Sequence, residues 1–256
     1  MTKPIFVKGT VLGEGIPKIC VPITGTTSGQ ILQQAREAAA QGAQLLEWRM
    51  DYWKEEDKKK YLEELLFSMS SILTDIPLIF TIRTEAEGGL FTESREEYET
   101  LVMIAAASQK ADLIDVEVFA LPEEGRGLIE KIHKKGCLAI ASSHDFEKTD
   151  PQEALLERFL AMEKSGADLL KLAVMPGDFQ DAVALMQATS MMKERTQKPL
   201  ISMAMGRDGA ITRISGENFG SCLTFACIGE PSAPGQLPLQ EMRTLLEAVH
   251  RENSRE

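Results

Sequence analysis

The feature that most restricts how this chain can fold is an alternation of two hydrophobic periods. Eight short apolar runs read as strands: KICVPI (18–23), AQLLEWRMD (43–51), PLIFTIRT (77–84), LIDVEVF (113–119), CLAIASSHD (137–145), LLKLAVM (169–175), PLISMAMG (199–206) and CLTFACIG (222–229). Stretches with a helical period separate several of them. SGQILQQAREAAAQG (28–42) carries a serine cap signal and a glycine stop. SREEYETLVMIAAASQ (94–109) opens on a Ser-x-x-Glu box that ends at Glu97. DPQEALLERFLAMEKSG (150–166) starts with aspartate before proline and stops at glycine, and 178–196 and 238–253 are also periodic.

Strand followed by helix, repeated, predicts a parallel sheet with right-handed crossovers. Eight such units in about 250 residues match the size of a closed (β/α)8 barrel, an α/β fold. The opening segment IFVKGTVLGEG reads as a short N-terminal hairpin closing the bottom of that barrel. A doubly wound open sheet is the rival, but it usually shows a GxGxxG turn after its first strand, and TGTTSG stands there instead. No Pro- or Ser-rich linker divides the chain, so residues 1–256 are expected to form a single domain.

Composition narrows the function. The net charge of -11 opposes a nucleic-acid partner. No run approaches a membrane-spanning helix. The N-terminal MTKPIFVKGTVLGEG lacks an apolar core followed by a small-residue cleavage site, so no signal peptide is expected. Cys20, Cys137, Cys222 and Cys227 form no CxxC pair, lie in strand-like runs and are expected to be reduced thiols. A cytoplasmic location follows as the expectation.

The polar residues inside the strands are not scattered. Residues two apart share a strand face, which groups Glu47 with Arg49, Thr81 with Arg83, Asp115 with Glu117, Ser142 with His144, and Lys171 with Ala173. Most lie towards the C-terminal ends of their strands, where barrel active sites are built. Each has a plain structural reading alone, as an ion pair, a solvated strand end or a satisfied histidine. Together they put arginines, carboxylates, a histidine and a lysine at one barrel mouth, which suits a small anionic substrate.

Lys171 is the informative residue. An apolar strand is expected to favour its neutral amine by desolvation, and nearby arginines to push the same way. A neutral amine attacks a ketone or aldehyde to form a Schiff base. The protonated imine acidifies the adjacent C–H, and His144 is the natural group to remove that proton. Glu87 in TEAEGG, or Asp115, would fix the histidine's tautomer. Metal catalysis is the competitor. His133 and His250 fall in predicted helices and no HxH or HExxH occurs, so zinc would need mostly carboxylates, and magnesium is weakly supported. GEPSAPGQ (229–236) suits a phosphate site, a lid or an ordinary surface loop.

QLLEWRMD, FTIRTEAEGG, SSHDF, LLKLAVM and above all MAMGRDGAITRISGENFGSCLTFACIGEPSAPGQLP resemble the type I 3-dehydroquinate dehydratases over essentially the whole chain. The resemblance implies a lyase that dehydrates 3-dehydroquinate to 3-dehydroshikimate in the shikimate pathway of aromatic amino acid biosynthesis. Lys171 would form the imine with the C3 ketone. His144 would take a C2 proton, help water leave in a syn elimination and assist imine formation and hydrolysis, and Glu87 would orient it. Arg213 would bind the substrate carboxylate, and Glu47, Arg49 and Arg83 would hold hydroxyls and set the field. Ser232 and Gln236 would lie on a closing loop, and Met203, Met205 and Phe225 would form the apolar wall. No metal or cofactor is implied, and the partner expected is a second copy in a homodimer. Another lysine Schiff-base barrel, such as an aldolase or transaldolase, and a silent barrel that senses a small acid are the rival readings.

Overall fold

In the computed structural model, which describes residues 2–55 and 57–255, each of the eight apolar runs forms a parallel strand. These are β1 (Lys18–Ile23), β2 (Leu45–Arg49), β3 (Leu78–Thr81), β4 (Leu113–Glu117), β5 (Leu138–Asp145), β6 (Leu169–Val174), β7 (Leu200–Ala204) and β8 (Leu223–Cys227). Neighbours pair in chain order from β1 to β7, and β8 returns to β1 with Leu223 opposite Lys18 and Phe225 opposite Cys20. The barrel closes between β7 and β8 through a single bridge, Leu200 to Ser221. Side chains complete that seam. Ser221 Oγ accepts from the Ser202 N–H at 3.0 Å and donates to the Leu223 carbonyl at 3.1 Å, and Thr212 Oγ1 accepts from the Ala204 N–H at 3.0 Å.

The helices are α1 (Ser28–Ala40), α2 (Lys58–Ile72), α3 (Arg95–Ser108), α4 (Arg126–Lys134), α5 (Gln152–Lys164), α6 (Phe179–Arg195), α7 (Ala210–Ile214), α8 (Gly216–Phe219) and α9 (Leu239–Asn253). Two start signals differ from expectation. The cap of α1 is Thr27, one residue before the serine, and its hydroxyl accepts from the Gln30 N–H. Ser28 instead donates its hydroxyl to Glu55. Asp150 does not cap α5, because it is held by Arg158 at 2.6 Å and Lys148 at 2.7 Å. Ser94 does cap α3, accepting from the Glu97 N–H at 3.2 Å.

The hairpin pairs Ile5–Val7 with Thr10–Leu12 in antiparallel register. Its two-residue turn, Lys8-Gly9, has positive φ at both positions, the backbone that matches strand twist. Val7 and Leu12 pack on the inward residues at the strand starts: Cys20, Leu45, Ile79, Leu113, Ile140, Leu169, Ile201 and Leu223. The bottom of the barrel is thus an apolar plug. The intervening residues, such as Trp48, Phe80, Ile114 and Leu172, face outward beneath the helices. No helix among the described residues is long and apolar enough to cross a membrane.

Candidate active site

Two residues above the apolar plug, the inward positions turn polar. In such a barrel alternate strands contribute to one layer of four side chains. The even strands supply Glu47, Asp115, Lys171 and Phe225, and these four meet. Lys171 Nζ lies 2.8 Å from Glu47 Oε1, 3.0 Å from Asp115 Oδ2 and 4.8 Å from the centre of the Phe225 ring. Lys171 is 3 % exposed. The odd strands add Thr81, whose hydroxyl donates to Glu47 at 3.0 Å, and Ser142, which donates to Asp115 Oδ1 at 2.6 Å.

This contact set overturns the expectation that Lys171 rests as a neutral amine. Burial does act to lower its pKa, and Arg83 adds to that. Asp115 and Glu47 outweigh both, so the net direction is upward and the resting group is an ammonium. Asp115 feels burial too, yet Arg83 and Lys171 hold its carboxyl down to about 2.

Arg83, fully buried, is the hub of the carboxylates. Nη2 donates to Asp115 at 2.9 Å and Nη1 to Glu117 at 2.8 Å and Ser142 at 3.2 Å. Its Nη1 and Nη2 donors thereby order these carboxylates beside the cavity that Arg83 also lines. Arg49 does not pair with Glu47. It forms a two-pronged ion pair with Asp51 at 2.9 and 2.8 Å. Asp51 also accepts the backbone N–H groups of Arg83 and Leu90, which ties the loop after β3 to β2.

His144 Nδ1 lies 2.8 Å from Glu87 Oε2, and Asp115 is not its partner. Glu87 is placed by the two glycines after it. Gly88 has φ +77°, and a Cβ there would overlap the Phe146 ring; a Cβ on Gly89 would overlap the Arg83 carbonyl. Burial, reinforced by Arg83, Lys171 and Arg49, holds His144 well below the usual imidazole range. Burial pushes Glu87 up to about 8, with Arg83 opposing. The ring and the His144 backbone N–H converge on one carboxyl oxygen, which assigns the ring hydrogen to Nδ1 and leaves the Nε2 lone pair free.

Arg213, at the end of α7, is 1 % exposed. Nη2 donates to the Pro234 carbonyl at 2.9 Å, while Nε and Nη1 have no partner among the described residues. Burial lowers its pKa to about 10. Unpaired guanidinium donors at this depth form a ready receptor for a carboxylate. Pro234 belongs to the loop after β8, where Gln236 Oε1 accepts from the Ser232 N–H at 2.9 Å. One cavity of about 50 Å³ brings together Glu47, Arg49, Arg83, His144, Lys171, Met203, Met205, Arg213, Phe225, Ser232 and Gln236. Glu87 stands behind His144.

Phe146 and Ala233 also line the cavity and were not singled out from sequence. Phe146 lies in the SSHDF run but two residues beyond His144, past the strand. Asp51 was equally missed, although the run AQLLEWRMD puts it on the face of Glu47 and Arg49, two residues beyond the point where β2 ends. His133 and His250 lie elsewhere, bound to Asp168 and Glu217 at 2.8 Å each.

The type I 3-dehydroquinase family model matches residues 19–253. The 3-dehydroquinate dehydratase of Clostridioides difficile (strain 630) is 39% identical over 252 residues, which cover 98% of this chain and 99% of that protein. The crystal structure of a type I 3-dehydroquinate dehydratase from Clostridium difficile, with covalently modified comenic acid, superposes with a TM-score of 0.94 at 39% identity, covering 98% of this chain and 100% of that one. The 3-dehydroquinate dehydratase of Geobacillus kaustophilus HTA426 superposes with a TM-score of 0.94 at 35% identity, covering 99% and 98%. With its closed eight-stranded barrel and its family match along nearly the whole length, this chain belongs to the type I 3-dehydroquinase family.

Proposed function

We propose that this chain dehydrates 3-dehydroquinate to 3-dehydroshikimate in aromatic biosynthesis, through a Schiff base on Lys171. The observation that carries the reading is the content of one cavity: a buried lysine amine, an imidazole lone pair and two unpartnered guanidinium donors. The substrate offers a ketone, an acidifiable C–H and a carboxylate, one for each. The covalently modified comenic acid in the Clostridium difficile structure supports covalent chemistry in this fold.

Arg213 takes the carboxylate, which orients the ring. The Lys171 ammonium first gives up one proton, its amine adds to the C3 carbonyl, and His144 assists the proton transfers by which water leaves and the iminium forms. The iminium draws electrons from the adjacent C2–H bond, so the proton becomes removable without a metal or a nicotinamide. His144 Nε2 removes it, while Glu87 Oε2 holds the ring through Nδ1. The same histidine then gives the proton to the departing C1 hydroxyl, and water hydrolyses the product imine. Ser232 and Gln236 close the loop over the site and limit early hydrolysis. Met203, Met205 and Phe225 shape the apolar wall, and Arg49 meets ring hydroxyls from beside Asp51. One barrel domain, acting as a homodimer in the cytoplasm, completes the reading.

The test is to incubate the protein with 3-dehydroquinate, reduce with borohydride and map the adduct by mass spectrometry. Modification at Lys171 is expected. An adduct on another lysine, or none, would sink the Schiff-base assignment. Turnover of an aldol substrate but not of 3-dehydroquinate would favour the aldolase reading.

A further inference from the structure

Strands β7 and β8 do not pair further above the bridge from Leu200 to Ser221. In a parallel strand every second amide points to the same neighbour, so the Ser202 and Ala204 N–H groups both face the gap on the β8 side. Side-chain hydroxyls fill it. Ser221 Oγ accepts from Ser202 and Thr212 Oγ1 accepts from Ala204, each at 3.0 Å. The two hydroxyls differ in what they hold. Ser221 leads directly into β8. Thr212 belongs to α7, and its chain neighbour is Arg213.

Helix α7 has five residues, Ala210–Ile214, too few to hold a helix without tertiary anchors. Two contacts key it to the end of β7. The Thr212 hydroxyl takes the Ala204 amide and donates to the Gly209 carbonyl at 2.7 Å. Gly209 lets the two backbones meet, because a Cβ there would overlap the Ala204 carbonyl. Thr212, like Arg213, is buried. Beyond this turn the Arg213 side chain has one protein bond among the described residues, from Nη2 to the Pro234 carbonyl, which also takes the Gly206 N–H at 3.2 Å. The direction of the free Nε and Nη1 donors is therefore set by the α7 backbone and that one carbonyl.

We propose that Thr212 is a positioning residue for the substrate carboxylate: its hydroxyl, bound to the Ala204 amide, fixes the α7 turn so that the free donors of Arg213 meet the anion. The proposal rests on the carboxylate role given to Arg213 above. Thr212 does not line the cavity, so its effect passes to the substrate through Arg213 alone. Without the hydroxyl the Ala204 N–H is left buried and unpaired, and the turn moves until that amide finds another acceptor. A displacement of about 1 Å in a group that holds the substrate costs up to about 100-fold. The loss falls on the part of binding that needs the carboxylate, because Lys171 and His144 stand on β6 and β5, away from the seam.

Thr212→Val and Thr212→Ala remove the hydroxyl, with and without the side chain's bulk. Thr212→Ser keeps the hydroxyl and removes a methyl. The measurement is kcat/KM for 3-dehydroquinate and for its methyl ester in wild type and the three variants. The ester keeps the ring, the ketone and the hydroxyls but lacks the anion. Wild type should prefer the acid by about 100-fold, the contribution of the Arg213 contact. In T212V and T212A that preference should fall to about 10-fold through a higher KM for the acid, with the ester within about 2-fold of wild type. T212S should keep the wild-type preference. Acid and ester falling together in T212V and T212A would show a structural disturbance alone and overturn the proposal. An unchanged preference in those variants would overturn it too, as would an equal loss in T212S. A wild type that turns over acid and ester alike would overturn the carboxylate role of Arg213 and the proposal with it. No turnover of the acid by wild type would instead overturn the dehydratase reading itself.

Discussion

The Glu87 carboxyl oxygen Oε2 receives His144 twice, from ring Nδ1 at 2.8 Å and from the backbone N–H at 3.0 Å. A single oxygen thereby sets the ring's tautomer and its angle to the strand. The lone pair on Nε2 is left for the substrate. His144→Ala should therefore cut turnover by about 10²–10⁴-fold while a Lys171 adduct can still be trapped with borohydride. Near-normal turnover in this variant would remove His144 from the proton transfer.

Glu87 itself makes stability depend on pH. Its native pKa is raised to about 8 from 4.5, so it stays protonated in the fold over a range where the unfolded chain has already ionised. Wild type should therefore lose stability relative to Glu87→Gln as pH rises from about 5 to about 8, by on the order of a few kcal/mol. Urea unfolding of both proteins at pH 5 and pH 9 measures this. A difference that does not change with pH would refute the raised pKa.

Arg213 shows binding strength set against stability. Its two unpartnered donors are a burden until a carboxylate arrives. Arg213→Met should raise the substrate KM by about 100-fold or more. The free protein should unfold no more easily than wild type, and could gain about 1 kcal/mol or more. A destabilised variant with an unchanged KM would show the arginine to be structural.

Asp115 has the opposite sign from Glu87. Its pKa is depressed to about 2 from 3.8, so its ion pairs stabilise the fold fully above pH 3.8 and lose that contribution as pH falls through 2. The titration accounts for about 2 kcal/mol of acid sensitivity. At pH 7, Asp115→Asn should cost about 3–5 kcal/mol, because Lys171 and Arg83 each lose a buried anion. Denaturant melts at pH 7 and pH 3 should show that cost shrinking towards acid; a constant cost would mean the ion pairs contribute little.

Activity should survive a metal chelator unchanged, since the iminium supplies the electron sink. Loss with EDTA, restored by magnesium, would reinstate the metal mechanism that the sequence left as a weak competitor.

The sequence made the eight strands and the inward faces of the site legible, because a strand's period of two is local. Glu47, Arg49, Arg83, His144 and Lys171 all lie where that period puts them. Helix α2 was legible too but not singled out: Leu62, Leu65, Leu66 and Met69 are buried at the i, i+3, i+4, i+7 spacing of an amphipathic helix. The cap at Thr27 was obscured by an equally good capping residue next to it. Asp51 shares the predicted face of Glu47 and Arg49, but two of its partners, the amides of Arg83 and Leu90, come from another strand's loop and show only in the fold.

By itself the sequence determined the strand–helix alternation, the apolar floor of the barrel and the polar face above it. Local periodicity is enough for each. Only closure of the barrel decided which polar groups meet. Lys171 and Glu47 are 124 residues apart, and Lys171 and Asp115 are 56 apart, yet they share one layer because alternate strands converge on the axis. That convergence reversed the expected state of Lys171. An isolated lysine on an apolar strand is driven towards its neutral form by desolvation, but two carboxylates at 2.8 and 3.0 Å outweigh burial and keep it charged.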